Sequence, residues 1–508
     1  MLSKQSIVRA SVIMSSAALI SRMLGFIREV IIAKFYGATS SYDLYLIAVT
    51  FPIVLISTLL YTIPNTFIPA YLKEKAEKGS KGAWNFLCGF FTYWVSFIFL
   101  ISFLLFLFAP KVIALFVPDL SAGDKELVVN ILRMTASVVF FGGVFSLFKS
   151  VLNANKHFLV PAYAPIVLNI IIILSIVLFS GTIKVKAIAV GLVAGYFIQA
   201  FIVFILVEKK IGLKISFSLT QPALINAFQV LFVILLIEIL GQLYVVVDRM
   251  FYSALPEGSI SSINYANTLF QIPIAALGIT VGSAIFPTLS EYVADNKFDQ
   301  LHLLIEKTIN IIIIITVPII GVFIFFSKDL VSVVFQRGAF DVNASFMTSN
   351  ILMFLSFGLI AFVLHAIVVR IHYSLGNKII ILVSTSIAIA VKIISSYILV
   401  PKFSYNGLAV ATSISIFINL SLLIFMLERK KIYLNFKVHA GNLFIMSLIT
   451  VISILLSGYV SVLLFEERLI FKTISELFLS AFLIIVFILL FNLEDIRKYF
   501  LTRFVKNR

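Results

Sequence analysis

Arg22, Arg28 and Glu29 interrupt an apolar run over residues 10–36, and a charge inside such a run costs about 2.5–3.5 kcal/mol on insertion scales. Charges kept there face a cavity, a partner or a transport path. Arg22 and Glu29 are seven apart and share a helix face, whereas Arg28 points elsewhere unless Gly25 bends the helix. The chemistry on offer is an ion pair inside a bundle or an anion site. Asp43 opens the next run, where it is either a water-exposed carboxylate or part of the same site. That run contains Pro52 and Pro64, which break the backbone ladder and either kink the helix or let it bend during transport.

Further along, Asp248 and Arg249 are adjacent and cannot form a same-face pair. Lys149 and Arg370 fall at nearly corresponding positions of two apolar runs; they either snorkel to headgroups or flank a gate or vestibule. Lys392 has its ammonium well inside an apolar run, with Asp248 as a candidate partner. Five histidines (His157, His302, His365, His372 and His439) form no HExxH pattern, and P-loop and GxSxG signatures are absent. His365 and His372 share a face as packing or substrate-contact residues, not as a metal site. No metal and no enzyme chemistry is expected. Cys88 is the sole cysteine, which excludes an intramolecular disulfide and a cysteine metal cluster.

The elements that must carry these residues are membrane helices. The 508 residues are 61% hydrophobic and 12% charged, with a mean hydropathy of +1.13, whereas a soluble domain carries about 25% charged residues. The net charge of +16 is scattered over short loops, which argues for membrane topology and against nucleic acid. The N-terminal run lacks a clear cleavage site and is expected to be retained as a first helix. Breaking the apolar runs at polar and Gly/Pro punctuation predicts an all-α polytopic protein with about fourteen spans. With the N-terminus cytoplasmic, most Lys and Arg fall inside, including Lys73, Lys75, Lys78 and Lys81 in one loop. Both termini are then cytoplasmic.

An internal repeat of about 220 residues organises the spans. Ala189–Val190 through Glu208–Lys209–Lys210 matches Ala409–Val410 through Glu428–Arg429–Lys430, with Gln199 facing Asn419. Phe67–Ile68–Pro69 returns as Ile285–Phe286–Pro287, and Asn155–Lys156 as Asn377–Lys378. Because the period covers six spans, both copies enter the membrane in the same direction. The expected architecture is an N-terminal lobe over 1–215, a C-terminal lobe over 216–435, and two additional helices with a basic cytoplasmic tail over 436–508. Such lobes enclose a site near the midplane and expose it to alternate sides.

Ser21–Arg22–Met23–Leu24–Gly25–Phe26–Ile27–Arg28–Glu29, then Phe35–Tyr36–Gly37–Ala38 and Asp43, resemble the opening of the MurJ/MviN family. Leu152–Asn153–Ala154, Pro161–Ala162–Tyr163–Ala164–Pro165, Gln336–Arg337–Gly338–Ala339–Phe340 and the stretch from Asp248 to Ser290 continue the resemblance along nearly the whole chain. It implies the MOP-superfamily, MATE-like fold. It also implies flipping of a polyprenyl-pyrophosphate-linked glycan, in the type case lipid II, between leaflets of a bacterial cytoplasmic membrane, with the extra helices forming a lipid-tail groove. Arg22, Arg28, Glu29 and Asp43 match the family's charged cavity positions, and Arg249 joins them as a candidate substrate contact. A guanidinium suits the task because it grips pyrophosphate oxygens bidentately.

The departures are specific. After Pro52 the family carries arginines where this chain has Ile53–Val54–Leu55–Ile56–Ser57–Thr58, and Thr268 follows Tyr265–Ala266–Asn267 where the family has another. Some members hold sodium with an acid on helix seven and Asn/Asp on helix eleven. Here the candidate cation site, or its substitute, comprises Asp248, Lys392, Ser396 and Thr412, with the lysine ammonium able to stand in for the ion. No cofactor is expected; coupling is to a monovalent cation or the membrane potential. The expected partners are the lipid-linked substrate, membrane lipids and cell-wall synthesis enzymes. A flippase for another lipid-linked polysaccharide unit and a non-transporting scaffold for envelope synthesis are the alternative readings.

Overall fold

The computed structural model describes residues 7–211, 222–429, 432, 436–464 and 469–490, and among these there is no β-strand. The basic tail expected over 491–508 and residues 1–6 lie outside the described residues. The chain forms two compact units, Met1–Ser261 with Arg337–Phe340, and Ser262–Gln336 with Asp341–Arg508.

The first unit contains α1 (Ile7–Tyr36), α2 (Ser40–Leu107), α3 (Ala109–Phe116), α4 (Ala122–Ala154), α5 (Leu159–Ile183), α6 (Lys186–Ile211) and α7 (Pro222–Met250). Two predicted spans lie on α2, which leaves helical geometry at Gly79 (φ 68°). On a straight helix Phe67 and Phe90 would stand about 35 Å apart. Their ring centroids are 5.1 Å apart, so the chain doubles back.

Around this fold-back Phe67, Phe86, Phe90 and Trp94 are fully buried, and Phe228 of α7 stacks on Phe90 at 4.9 Å. In lipid there is no hydrophobic drive between helices, so close packing and interhelical hydrogen bonds take its place. Gly142 of α4 shows the closeness: a Cβ there would meet Ile56 Cδ1 at 1.8 Å. Trp94 Nε1 donates to the Gly143 carbonyl (3.0 Å), and Ser146 Oγ donates to that of Leu59 (3.1 Å).

The second unit holds nearly all of α8 (Ser259–Pro273), together with α9 (Thr280–Ala294), α10 (Phe298–Phe325), α11 (Ser327–Phe335), α12 (Val342–Ser356), α13 (Leu359–Ser374), α14 (Lys378–Phe403), α15 (Tyr405–Glu428), α16 (Phe436–Leu464) and α17 (Leu469–Leu490). A π-helical turn, Ile274–Ile279, joins α8 to α9. α12 and α13 meet at a 50° bend. His439 and Asn442 of α16 dock on α10: His439 Nε2 lies 2.9 Å from Glu306 Oε2, and Asn442 Nδ2 donates to Asn310 Oδ1 (3.0 Å).

Among the described residues ten helices are long and apolar enough to cross a membrane, or eleven when the bent pair counts as one span. α2 is counted once although it carries two of the predicted spans. The chain is a multi-pass membrane protein.

Candidate functional site

α1 and α5 pack side by side, and an ion pair on α1 forms at that seam. Arg28 Nη2 donates to Glu29 Oε1 at 2.6 Å, and Nη1 donates to Asn169 Oδ1 of α5 at 3.1 Å. Glu29 therefore pairs with its sequence neighbour. Adjacent Cβ atoms diverge around a helix, but the guanidinium arm is long enough to swing back, whereas Arg22 starts about 10 Å away along the axis. Arg22 is exposed, with no hydrogen bond or ion pair among the described residues. Asn169 completes the cluster and was not anticipated; its signal was a lone amide within Ile166–Val167–Leu168–Asn169–Ile170–Ile171, four residues after Pro165. Its own Nδ2 donates to the Pro165 carbonyl at 3.1 Å.

Asp43 is fully buried, not water-exposed. Its Oδ2 accepts from Gly258 N (2.8 Å), and its Oδ1 accepts from Ser261 N (2.6 Å) and from the Ser261 hydroxyl. The carboxylate thus caps the start of α8, where unpaired N–H groups and the helix dipole favour an anion. The contact is reciprocal, since Ser40 N at the start of α2 donates to Glu257 Oε1 at 2.9 Å. Two glycines permit this approach. Gly258 has φ 78°, and a Cβ on it would stand 2.3 Å from the Ala38 carbonyl oxygen; Gly37 has φ 59°, and a Cβ there would stand 2.1 Å from that of Ala339. Gly258–Ser259–Ile260–Ser261–Ser262 follows Gly37–Ala38–Thr39–Ser40–Ser41 at about the repeat period, a correspondence that only the paired turns drew attention to.

Arg249 is 6% exposed; its Nη1 donates to the Ile260 carbonyl at 3.2 Å, and it lies near enough to Asp43 for the two charges to interact. Asp248 is half-buried on the same helix. Lys149 is half-buried, with its ammonium 5.9 Å from the Phe145 ring centroid.

In the second unit Arg370 Nη2 donates to the Ile279 carbonyl (3.2 Å) and Ser283 Oγ (3.1 Å), which ties α13 to the junction of the π-turn and α9. His372 Nε2 lies 3.0 Å from the Leu423 carbonyl and packs α13 on α15. Lys392 is fully buried, its Nζ donating to Thr412 Oγ1; Ser396, one turn on, has a buried hydroxyl with no hydrogen-bond partner among the described residues. An ammonium already sits on the oxygen that a metal cation would use. A sodium ion does not fit this set beside it, because like charges repel strongly at low dielectric.

A family model described as lipid II flippase MurJ matches residues 32–488. The chain belongs to the MurJ family. Among its relatives, the probable lipid II flippase MurJ of Buchnera aphidicola subsp. Schizaphis graminum is 29% identical over 447 residues, covering 85% of each chain. That of Rickettsia prowazekii is 26% identical over 473 residues, covering 91% of this chain and 93% of the relative. The solved structure of a lipid II flippase MurJ in an inward closed conformation superposes with a TM-score of 0.81 at 24% identity, covering 96% of this chain and all of that one. An inward-facing MATE multidrug transporter of the MOP superfamily superposes at 0.67 and 12% identity, covering 83% of this chain and 98% of the other. The MurJ fold is therefore a MOP-type fold here as well. The matched segment begins just after Glu29, so Arg22, Arg28 and Glu29 rest on the motif around them.

Proposed function

We propose that this chain flips lipid II from the inner to the outer leaflet of a bacterial cytoplasmic membrane, with both termini cytoplasmic. Membership of the MurJ family across residues 32–488 carries the reading. The chain acts as a transporter and not as an enzyme. The lobes over 1–215 and 216–435 rock against each other, and the helices of 436–508 receive the polyprenyl tail. Arg22, exposed on α1, takes the pyrophosphate, and Arg28, oriented by Glu29 and Asn169, adds a second positive centre. The hold of Asp43 on the start of α8 closes the outer face and is released as the substrate leaves.

In bacteria depleted of their lipid II flippase, the parent chain is expected to restore growth and Arg22→Ala to lose at least about tenfold in rescue at equal membrane insertion, a loss of one charge-assisted contact. Failure of the parent with good insertion would favour the second reading, another lipid-linked glycan. The missing arginines at Ile53–Thr58 and Thr268 support that alternative.

Lys392 supplies within the second unit the positive charge that sodium provides in other members, and the membrane potential drives the cycle. Lys392→Ala should then gain a sodium-dependent rise in thermal stability beyond that of the parent, while Lys392→Arg should not. Equal sodium responses in the parent and the alanine variant would remove this role.

A further inference from the structure

Glu476 lies on α17 about 10 Å along the helix from Leu469 and is 3% exposed. Its Oε1 accepts from Ser461 Oγ of α16 at 2.7 Å, while its Oε2 is buried with no hydrogen-bond partner among the described residues. The facing surfaces are lined with hydroxyls, for Ser457 and Ser461 on α16 and Thr473 and Ser480 on α17 are all buried. Ser457 and Ser480 give their protons to carbonyls three residues earlier on their own helices. Their protons are thus committed, and Ser480, one turn from Glu476 on α17, has only lone pairs left to offer the acid. A carboxylate oxygen among acceptors needs a positive partner.

Neighbouring charges do not supply one among the described residues. On α10 and α16, His302 and His439 are paired with Glu306, and among the described residues no partner reaches Glu476 Oε2 from Lys328 of α11. Lys472, one turn earlier in sequence, has a side chain outside the described residues.

We infer that Glu476 is an exchangeable monovalent-cation site in the α16–α17 hairpin, taken by a proton or an alkali-metal ion. An ionisable group buried in an apolar membrane helix is by default a functional site, with its partner to be named. This site uses none of the charged residues assigned to the pyrophosphate. Exchange at Glu476 changes the charge between two helices that pack through small hydroxyls, and so sets how tightly α17 holds to α16.

The test uses the full-length parent in detergent with dicyclohexylcarbodiimide, which adds to protonated carboxyls in apolar surroundings, and reads modification of Glu476 by peptide mass spectrometry. If a proton is the ligand, labelling falls as the pH is raised and ignores sodium. If an alkali ion is the ligand, sodium protects at fixed pH where choline does not. Labelling, or its absence, that responds to neither pH nor sodium overturns the site. Sensitivity that appears only in Lys472→Met, and not in the parent, overturns it too, because Lys472 is then the permanent partner. Glu476→Gln serves only to assign the modified peptide, so the outcome does not depend on that variant folding.

Discussion

Asp43→Ala is expected to lower the thermal unfolding midpoint of the purified protein more than any other single change on α1 or α2. The substitution strips the acceptor from Gly258 N, Ser261 N and the Ser261 hydroxyl, and each buried donor left unpaired costs about 1–3 kcal/mol. The summed effect is about 3–6 kcal/mol, moderated where water enters the opened turn. Asp43→Asn keeps one acceptor oxygen and should lose roughly half as much. A cysteine placed at Ser259 in a Cys88→Ser background should become faster to label in Asp43→Ala. Unchanged labelling and an unchanged midpoint together would show that the carboxylate does not hold the α8 start.

Arg28→Ala is expected to abolish rescue of flippase-depleted cells and also to destabilise the protein, and the two effects can be separated. Glu29 is 12% exposed as a side chain and would lose its charge partner. Breaking a buried pair costs about 3–5 kcal/mol, and the 27% exposure of the Arg28 side chain places the cost toward the lower end. Arg28→Ala with Glu29→Gln should recover most of the stability, since no unpaired charge remains. If the double variant is stable and still fails to rescue, Arg28 works on the substrate. If it is stable and rescues, the pair is structural. Arg28→Lys should rescue poorly, because a single ammonium cannot reach both Asn169 and Glu29 in the geometry of the fork.

These two sites differ in how far they could be read from sequence. A guanidinium and a carboxylate inside a 30-residue helix are visible as an energetic anomaly without any structure. Their pairing was not visible: helical periodicity joined Glu29 to Arg22, while the structure joins it to Arg28 through a side chain that reaches around the helix. Asn169 comes from a residue 141 positions away. The Asp43 site is further from sequence reasoning still, for its donors stand 215 and 218 residues on. Nothing local to Asp43 separates a solvent-exposed carboxylate from a buried cap. The two glycines beside it gave a better hint, since both appear in the family-like motifs and both adopt positive φ against a backbone carbonyl.

Lys392 shows the opposite balance. Its position in an apolar run already predicted an internal role with Asp248 as candidate partner, whereas the hydrogen bond found goes to Thr412. Its sequence position assigns Arg370 to a vestibule or to headgroups; its bonds to Ile279 and Ser283 lie at the end of a π-turn that hydropathy does not register.

What the sequence determined by itself is the solvent and the class: apolar runs long enough to span hydrocarbon, charges rare enough to be meaningful, and motifs ordered along a recognisable family. Those follow from one-dimensional quantities, namely hydropathy, period and spacing. Which charges meet, which turns lock together and which hydroxyls surround Glu476 were decided by the tertiary structure alone. Hydrogen bonds form over about 3 Å between groups that packing brings together, and packing joins residues without regard to their distance along the chain.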